Sequence, residues 1–220
     1  MEKKKYSEIA SECTECSILN GYKYKGLCCA NVCGELESCR GCKNTNHKLF
    51  KLCEEDTDDE LYLSGINYES IADAEGVSCV LFFSGCNHNC EGCHSPSTHD
   101  FKNGILVTDE VINTINEEID KRPFLSSLVL SGGDPMYSSK KILKLLDKLH
   151  IPNNTIWVYS GFTLREIRQC KGMSELLNRC NVLIDGKFEL EHRDITLQFR
   201  GSSNQKMYKK NEDGEWKFVS

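Results

Sequence analysis

No apolar run in this chain approaches the roughly 20 residues needed to cross a bilayer, so no membrane association is expected. The opening residues, Met1-Glu2-Lys3-Lys4-Lys5-Tyr6, lack the apolar core of a signal peptide, and a soluble, cytoplasmic protein is expected. Basic residues are outnumbered: 27 Lys and Arg against 33 Asp and Glu leave a net charge of −6. That balance offers no electrostatic footprint for nucleic acid. Neither an internal repeat nor a low-complexity segment is present. Cysteine, by contrast, is abundant, with 14 in 220 residues. In a reducing compartment such a number argues for metal ligands over a disulfide framework. The length fits one medium domain with a small appendage.

Three cysteines decide the reading: Gly85-Cys86-Asn87-His88-Asn89-Cys90-Glu91-Gly92-Cys93, with no fourth cysteine close behind. Three thiolates at this spacing can hold three irons of a 4Fe-4S cube and leave the fourth iron without a protein ligand. Closed four-cysteine clusters mostly move electrons. A cluster with a free corner can bind a substrate, by the logic that separates open catalytic zinc sites from closed structural ones. The competing reading is a zinc knuckle with His88 or His94 as fourth ligand.

The chain divides in two. Eight cysteines lie within residues 13–53, in a stretch poor in aliphatic residues; Glu54 to Glu60 reads as an acidic, solvated linker. The expected units are therefore a cysteine-rich metal-binding region (1–53), a linker (54–60) and a catalytic domain (61–220). In the last of these, Val77–Phe83, Ser127–Leu130, Thr155–Tyr159 and Asn181–Ile184 are short apolar runs bounded by small residues, the marks of buried parallel strands. Thr108–Lys121 carries Val111, Ile112, Ile115 and Ile119 at helical spacing, with Thr108 as N-cap. Ser138–His150 does the same with Ile142, Leu143, Leu146 and Leu149, and Thr163-Leu164-Arg165-Glu166 is a capping box. Strands alternating with helices imply βαβ units and a parallel sheet.

Each expected strand runs into a small polar turn: Ser84-Gly85-Cys86, Ser131-Gly132-Gly133-Asp134-Pro135, Ser160-Gly161 and Asp185-Gly186-Lys187. Ligands gather at the carboxyl ends of parallel strands, so four such turns would surround one site beside the cysteine loop. Any one of them alone is an ordinary βα turn.

The cysteine spacing resembles that of the radical S-adenosylmethionine enzymes, in which the free iron chelates the amino and carboxylate groups of the methionine moiety. Residues 61–208 resemble one family among them, the activating proteins of anaerobic ribonucleoside-triphosphate reductases. The matching blocks are Phe83-Ser84-Gly85-Cys86 with its triad, Leu130 to Pro135, Ser160-Gly161-Phe162-Thr163, Val182 to Glu189, and Phe199-Arg200-Gly201-Ser202-Ser203-Asn204-Gln205. The last is the most specific.

The resemblance implies a partial (β/α) barrel, since a core of about 150 residues is short of the ~250 typical of a full one. It implies a 4Fe-4S cluster on Cys86, Cys90 and Cys93, with no catalytic residue beyond cluster and cofactor. S-adenosylmethionine would be bound by Ser131, Gly132, Gly133, Asp134, Ser160, Asp185, Lys187 and His94. Asp134 would hold the methionine ammonium and Lys187 its carboxylate. Many superfamily members carry an aromatic residue just before the third cysteine; here that place is Gly92. His88 is expected to orient the loop, and Cys79, Cys170 and Cys180 to be buried thiols. Flavodoxin or ferredoxin would supply an electron, and the reductase would be the partner that receives a glycyl radical.

The N-terminal cysteines depart from the family pattern. Cys13 and Cys16 form one CxxC knuckle and Cys39 and Cys42 another, and a structural zinc on these four is expected. Two other readings remain: a radical enzyme for a different glycyl-radical enzyme or a small molecule, and a non-catalytic metal-binding protein. The FRGSSNQ block argues against the first, and the four convergent turns against the second.

Overall fold

The computed structural model describes residues 59–220; the expected zinc ligands Cys13, Cys16, Cys39 and Cys42, and most of the acidic linker, lie outside the described residues. In chain order the elements are β1 (Tyr62–Ser70), β2 (Ser78–Phe83), β3 (Ile105–Leu106), α1 (Asp109–Asp120), β4 (Ser127–Gly132) and α2 (Ser139–Leu146). Then come β5 (Ile156–Tyr159), α3 (Leu164–Gln169), α4 (Lys171–Arg179), β6 (Val182–Asp185), β7 (Lys206–Lys210) and β8 (Trp216–Phe218).

Four of these strands fall where the apolar runs placed them, and they pair in parallel in the order β2-β4-β5-β6. The whole sheet has eight strands, ordered β3-β1-β2-β4-β5-β6-β7-β8. It is mixed, not parallel throughout: β1 and β3 add antiparallel at one side, β7 and β8 at the other. For β1 against β2 and for β7 against β8 the reason is connection length. A parallel crossover needs a dozen or more residues, whereas β1 reaches β2 through 71–77 and β7 reaches β8 through 211–215. The result is a mixed α/β fold built on one sheet with two ends, β3 and β8.

The central strands are buried on both faces, as parallel strands covered by crossover helices must be. Val80, Val129, Trp157, Val182, Ile184 and Met207 cluster on one face with Ala74 from the β1–β2 connection. Leu81, Leu128, Leu130, Val158 and Leu183 alternate with them and are equally buried. Helix α1 buries Ile112, Ile115 and Ile119, and Thr108 Oγ1 accepts from Val111 N at its start. In α2 the expected inward stripe shifts: Leu145 is buried with Ile142 and Leu146, while Leu143 is only half-buried. The capping box at Thr163 is formed as expected, with Glu166 N donating to Thr163 Oγ1 and Thr163 N to Glu166 Oε2. No helix among the described residues is long and apolar enough to cross a membrane.

Candidate active site

The four strand-end turns do meet. They border one open cavity of about 710 Å³ whose wall includes Cys86, Cys90 and Cys93. Ser131, Gly132, Gly133, Ser160 and His94 line the same cavity, so five of the eight expected cofactor contacts share a wall with the cysteine triad. All three cysteines carry free thiols.

The donor set suits a multi-iron group. A single zinc requires its ligands within about 2.3 Å, and among the described residues no three His, Cys, Asp or Glu side chains converge to hold one ion. Three free thiols on one cavity wall are the donor type that an iron–sulfur cluster takes. Burial pushes the Cys86 thiol up to about 12, with the nearby Asp134 carboxylate adding to the effect. Burial also raises Cys90, which the ammonium of Lys187 opposes. A cationic iron core would offset that cost for both thiolates.

Asp134 lies behind the wall, 1% exposed. Its Oδ2 accepts from His88 Nε2 at 2.7 Å, Ser160 Oγ at 3.0 Å and Gly161 N at 2.9 Å, and its Oδ1 from Met136 N at 2.9 Å. One carboxylate thus joins the cysteine loop, the turn after β4 and the turn after β5. The His88 ring sits edge-on to Phe162 and Tyr137, so its orientation is set by packing as well as by charge. The glycines permit this closeness. Gly133 N donates to Phe83 O at 2.7 Å and Asp134 N to Gly85 O at 3.0 Å. A Cβ on Gly132 would stand 2.4 Å from Phe83 N, and Gly132 has φ +104°. Only glycine takes that backbone without strain.

A model of the 4Fe-4S single cluster domain family matches residues 72–208. An anaerobic ribonucleoside-triphosphate reductase-activating protein of Enterobacteria phage T4 is 34% identical over 161 residues, covering 69% of this chain and 99% of that protein. The protein of that name from Escherichia coli K12 is 38% identical over 143 residues, covering 61% of this chain and 90% of its own, and that from Vibrio cholerae is 37% identical over 144. This chain belongs to the family of anaerobic ribonucleoside-triphosphate reductase-activating proteins.

The two blocks that mark this activating-protein family in the sequence form one structural unit. Gln205 Nε2 donates to Gly186 O at 3.0 Å, while its Oε1 accepts from Gly201 N at 2.9 Å. Asn204 Nδ2 donates to Lys187 O at 2.8 Å, and Ser202 Oγ accepts from Glu189 N at 3.2 Å. The FRGSSNQ segment therefore clamps the turn after β6 at the cavity edge. Phe199 takes φ +60°, unusual for a bulky residue, and packs on Trp157 with ring centroids 5.1 Å apart. Arg200 lines the cavity and spends one N–H on Gln205 O, at 3.2 Å.

Besides Asp134, two expected contacts of the activating-protein site lie outside the cavity lining. Asp185 is buried, and its Oδ2 accepts from Leu164 N at 2.6 Å at the start of α3; it does not line the cavity. Lys187 is exposed, near enough to Cys90 to act on its charge but not part of the lining. Cys79 and Cys180 are buried free thiols, whereas Cys170 is buried but disulfide-bonded. The sequence reading missed Asp73, Phe188 and Arg193, all of which line the cavity. Phe188 stood within a recognised block; Asp73 and Arg193 carry no motif, and only tertiary folding brings them to the cavity.

Proposed function

We propose that this chain activates an anaerobic ribonucleoside-triphosphate reductase by radical S-adenosylmethionine chemistry. The observation that carries the reading is the shared cavity, in which Cys86, Cys90 and Cys93 face Ser131, Gly132, Gly133 and Ser160. Cys86, Cys90 and Cys93 would hold the 4Fe-4S cluster, which, reduced by a flavodoxin or ferredoxin, would supply the electron for reductive cleavage of S-adenosylmethionine and thereby the means of taking hydrogen from a reductase glycine. The chain's own residues bind and orient. The backbone of Ser131 to Gly133 meets the methionine ammonium, His94 contacts the cofactor from the cysteine loop, and the exposed ammonium of Lys187, outside the lining but near enough to Cys90 to act on its charge, pairs with the methionine carboxylate. Asp134 and Asp185 serve the same site through the turns they hold. The sheet is read as a partial barrel around the cavity. Residues 1–53 form a zinc region on Cys13, Cys16, Cys39 and Cys42, residues 54–60 link it to the activase domain 61–220, and the protein works in the cytoplasm.

The test is anaerobic reconstitution with iron and sulfide, followed by mixing with the cognate reductase, S-adenosylmethionine and a reductant. The reductase should acquire the doublet paramagnetic signal of a glycyl radical. Cys93→Ala should lose most cluster iron and all deoxyadenosine formation, because two thiolates do not retain a cube. Deoxyadenosine formation by that variant would defeat the triad assignment. Wild-type cleavage that acts on a small molecule and leaves the reductase radical-free would replace the partner.

A further inference from the structure

The connection from β6 to β7 is more than a linker. After the single turn Leu190–His192, the chain folds back on itself. Arg193 pairs with Ser202 in an antiparallel bridge, Ser203 N donates to His192 O at 2.8 Å, and Asp194 N to Gly201 O at 3.2 Å. Asp194 Oδ1 accepts from Thr196 N at 2.9 Å and Thr196 Oγ1 at 2.6 Å, which closes the tip. The outcome is a hydrogen-bonded finger. Its base rests on the cysteine loop: a Cβ on Gly92 would lie 3.0 Å from Leu190 Cδ1. Leu190, Arg193 and Ile195 all line the cavity.

These three side chains are poorly employed within the fold. Ile195 is 83% exposed and Leu190 43% exposed. Arg193 is exposed, and its guanidinium takes part in no ion pair or side-chain hydrogen bond among the described residues. Single exposed aliphatic residues are ordinary. Two of them with an unpaired arginine, on a braced finger at the opening of a reactive cavity, form a pattern. Apolar side chains with Arg, and few Lys or Glu, characterise the centre of protein interfaces. A small molecule lying inside the cavity gains nothing from a side chain 83% exposed at its rim. A polypeptide crossing that rim gains both apolar area and, from the guanidinium fork, donors for its carbonyl oxygens.

We propose that the finger 190–203 is the docking surface for the reductase segment that carries the target glycine, with Ile195 as apolar anchor and Arg193 as donor to backbone carbonyls of that segment. This rests on the activase reading above. The test uses the full chain loaded with its cluster, S-adenosylmethionine, a reductant and increasing reductase. Ile195→Asp is expected to raise the reductase concentration for half-maximal glycyl-radical signal about tenfold. It should leave deoxyadenosine formation without reductase, and the melting temperature, unchanged. Ile195→Leu should restore the wild-type dependence, and Arg193→Glu should shift it in the same direction as Ile195→Asp. An unchanged dependence in Ile195→Asp overturns the proposal alone. So does a wild-type dimer that this variant dissociates while its response to reductase stays the same, which would assign the finger to a second copy. A wild-type protein that places no radical on the reductase overturns the activase reading itself.

Discussion

Asp134 shows how a residue in the expected block can carry a structural duty that its sequence does not announce. A short anion after two glycines reads as a partner for the methionine ammonium, yet three donors already converge on its Oδ2. A buried carboxylate is retained when hydrogen bonds replace its lost hydration. Asp134→Asn would turn an N–H₂ group toward donors or leave them unmatched, at a cost of about 1–3 kcal/mol. Thermal unfolding of the variant should show this, at roughly 2–4 °C per kcal/mol. Paired with His88→Gln, it should be strongly non-additive, because the two side chains share one hydrogen bond. Additive losses would mean the pair is not a unit. Asp185 offers a test in pH. Burial raises its pKa above the usual carboxylate value, against the bond from Leu164 N. Below about pH 3.9, the unfolded value, it is protonated in both states and carries no penalty. As pH rises through the raised folded value, the native state loses stability relative to the unfolded one. Asp185→Asn keeps the acceptor and has no such loss. Its melting temperature relative to wild type should therefore climb from pH 4 upward and then level off; a flat difference would contradict the shift.

At the scale of elements, the turns matter more than the strands they follow. A Cβ at Gly132 meets backbone, Phe83 N and Phe83 O at 2.4 and 2.5 Å, whereas one at Gly161 meets the His88 ring at 2.5 Å. Backbone of a central strand cannot move aside, but an imidazole can. Gly132→Ala should consequently abolish soluble folded protein or lower its melting point severely. Gly161→Ala should fold and instead retain less iron after desalting, because the displaced His88 no longer fixes the cysteine loop. Helix α3 provides a control whose cap lies outside the cavity lining: Thr163→Ala removes the cap at a cost of about 1 kcal/mol, with iron content unaffected. Helices α1 and α2, the start of α3 and the parallel strands were legible because a period of 3.6, a capping box or a short β-branched run is a local signal, whereas α4 was not foreseen. Strands β1, β3, β7 and β8 were not: the edge strands β3 and β8 are two and three residues long, and β1 and β7 bury their residues without clean alternation.

For the molecule as a whole, the order of chemistry along the chain and its arrangement in space are separate facts. The triad, the glycine turns and the FRGSSNQ block are distributed over more than 100 residues, and the parallel sheet gathers them at one edge. The expected zinc region can be tested on the intact protein: metal analysis after reconstitution should find about one zinc per chain, lost in a Cys39→Ala/Cys42→Ala variant that keeps its iron. Equal loss of iron and zinc there would place all the metal in one site.

By itself the sequence determined the cavity-forming turns, two helix caps and the family, because each depends on residue identity over a few positions. It did not determine which polar side chains reach the cavity. Asp134 and Asp185 face inward onto backbone and partners, while Asp73 and Arg193, without any motif, line the wall. That choice depends on which donors stand within about 3 Å once remote segments are packed together, and distances of that kind exist only in the folded chain.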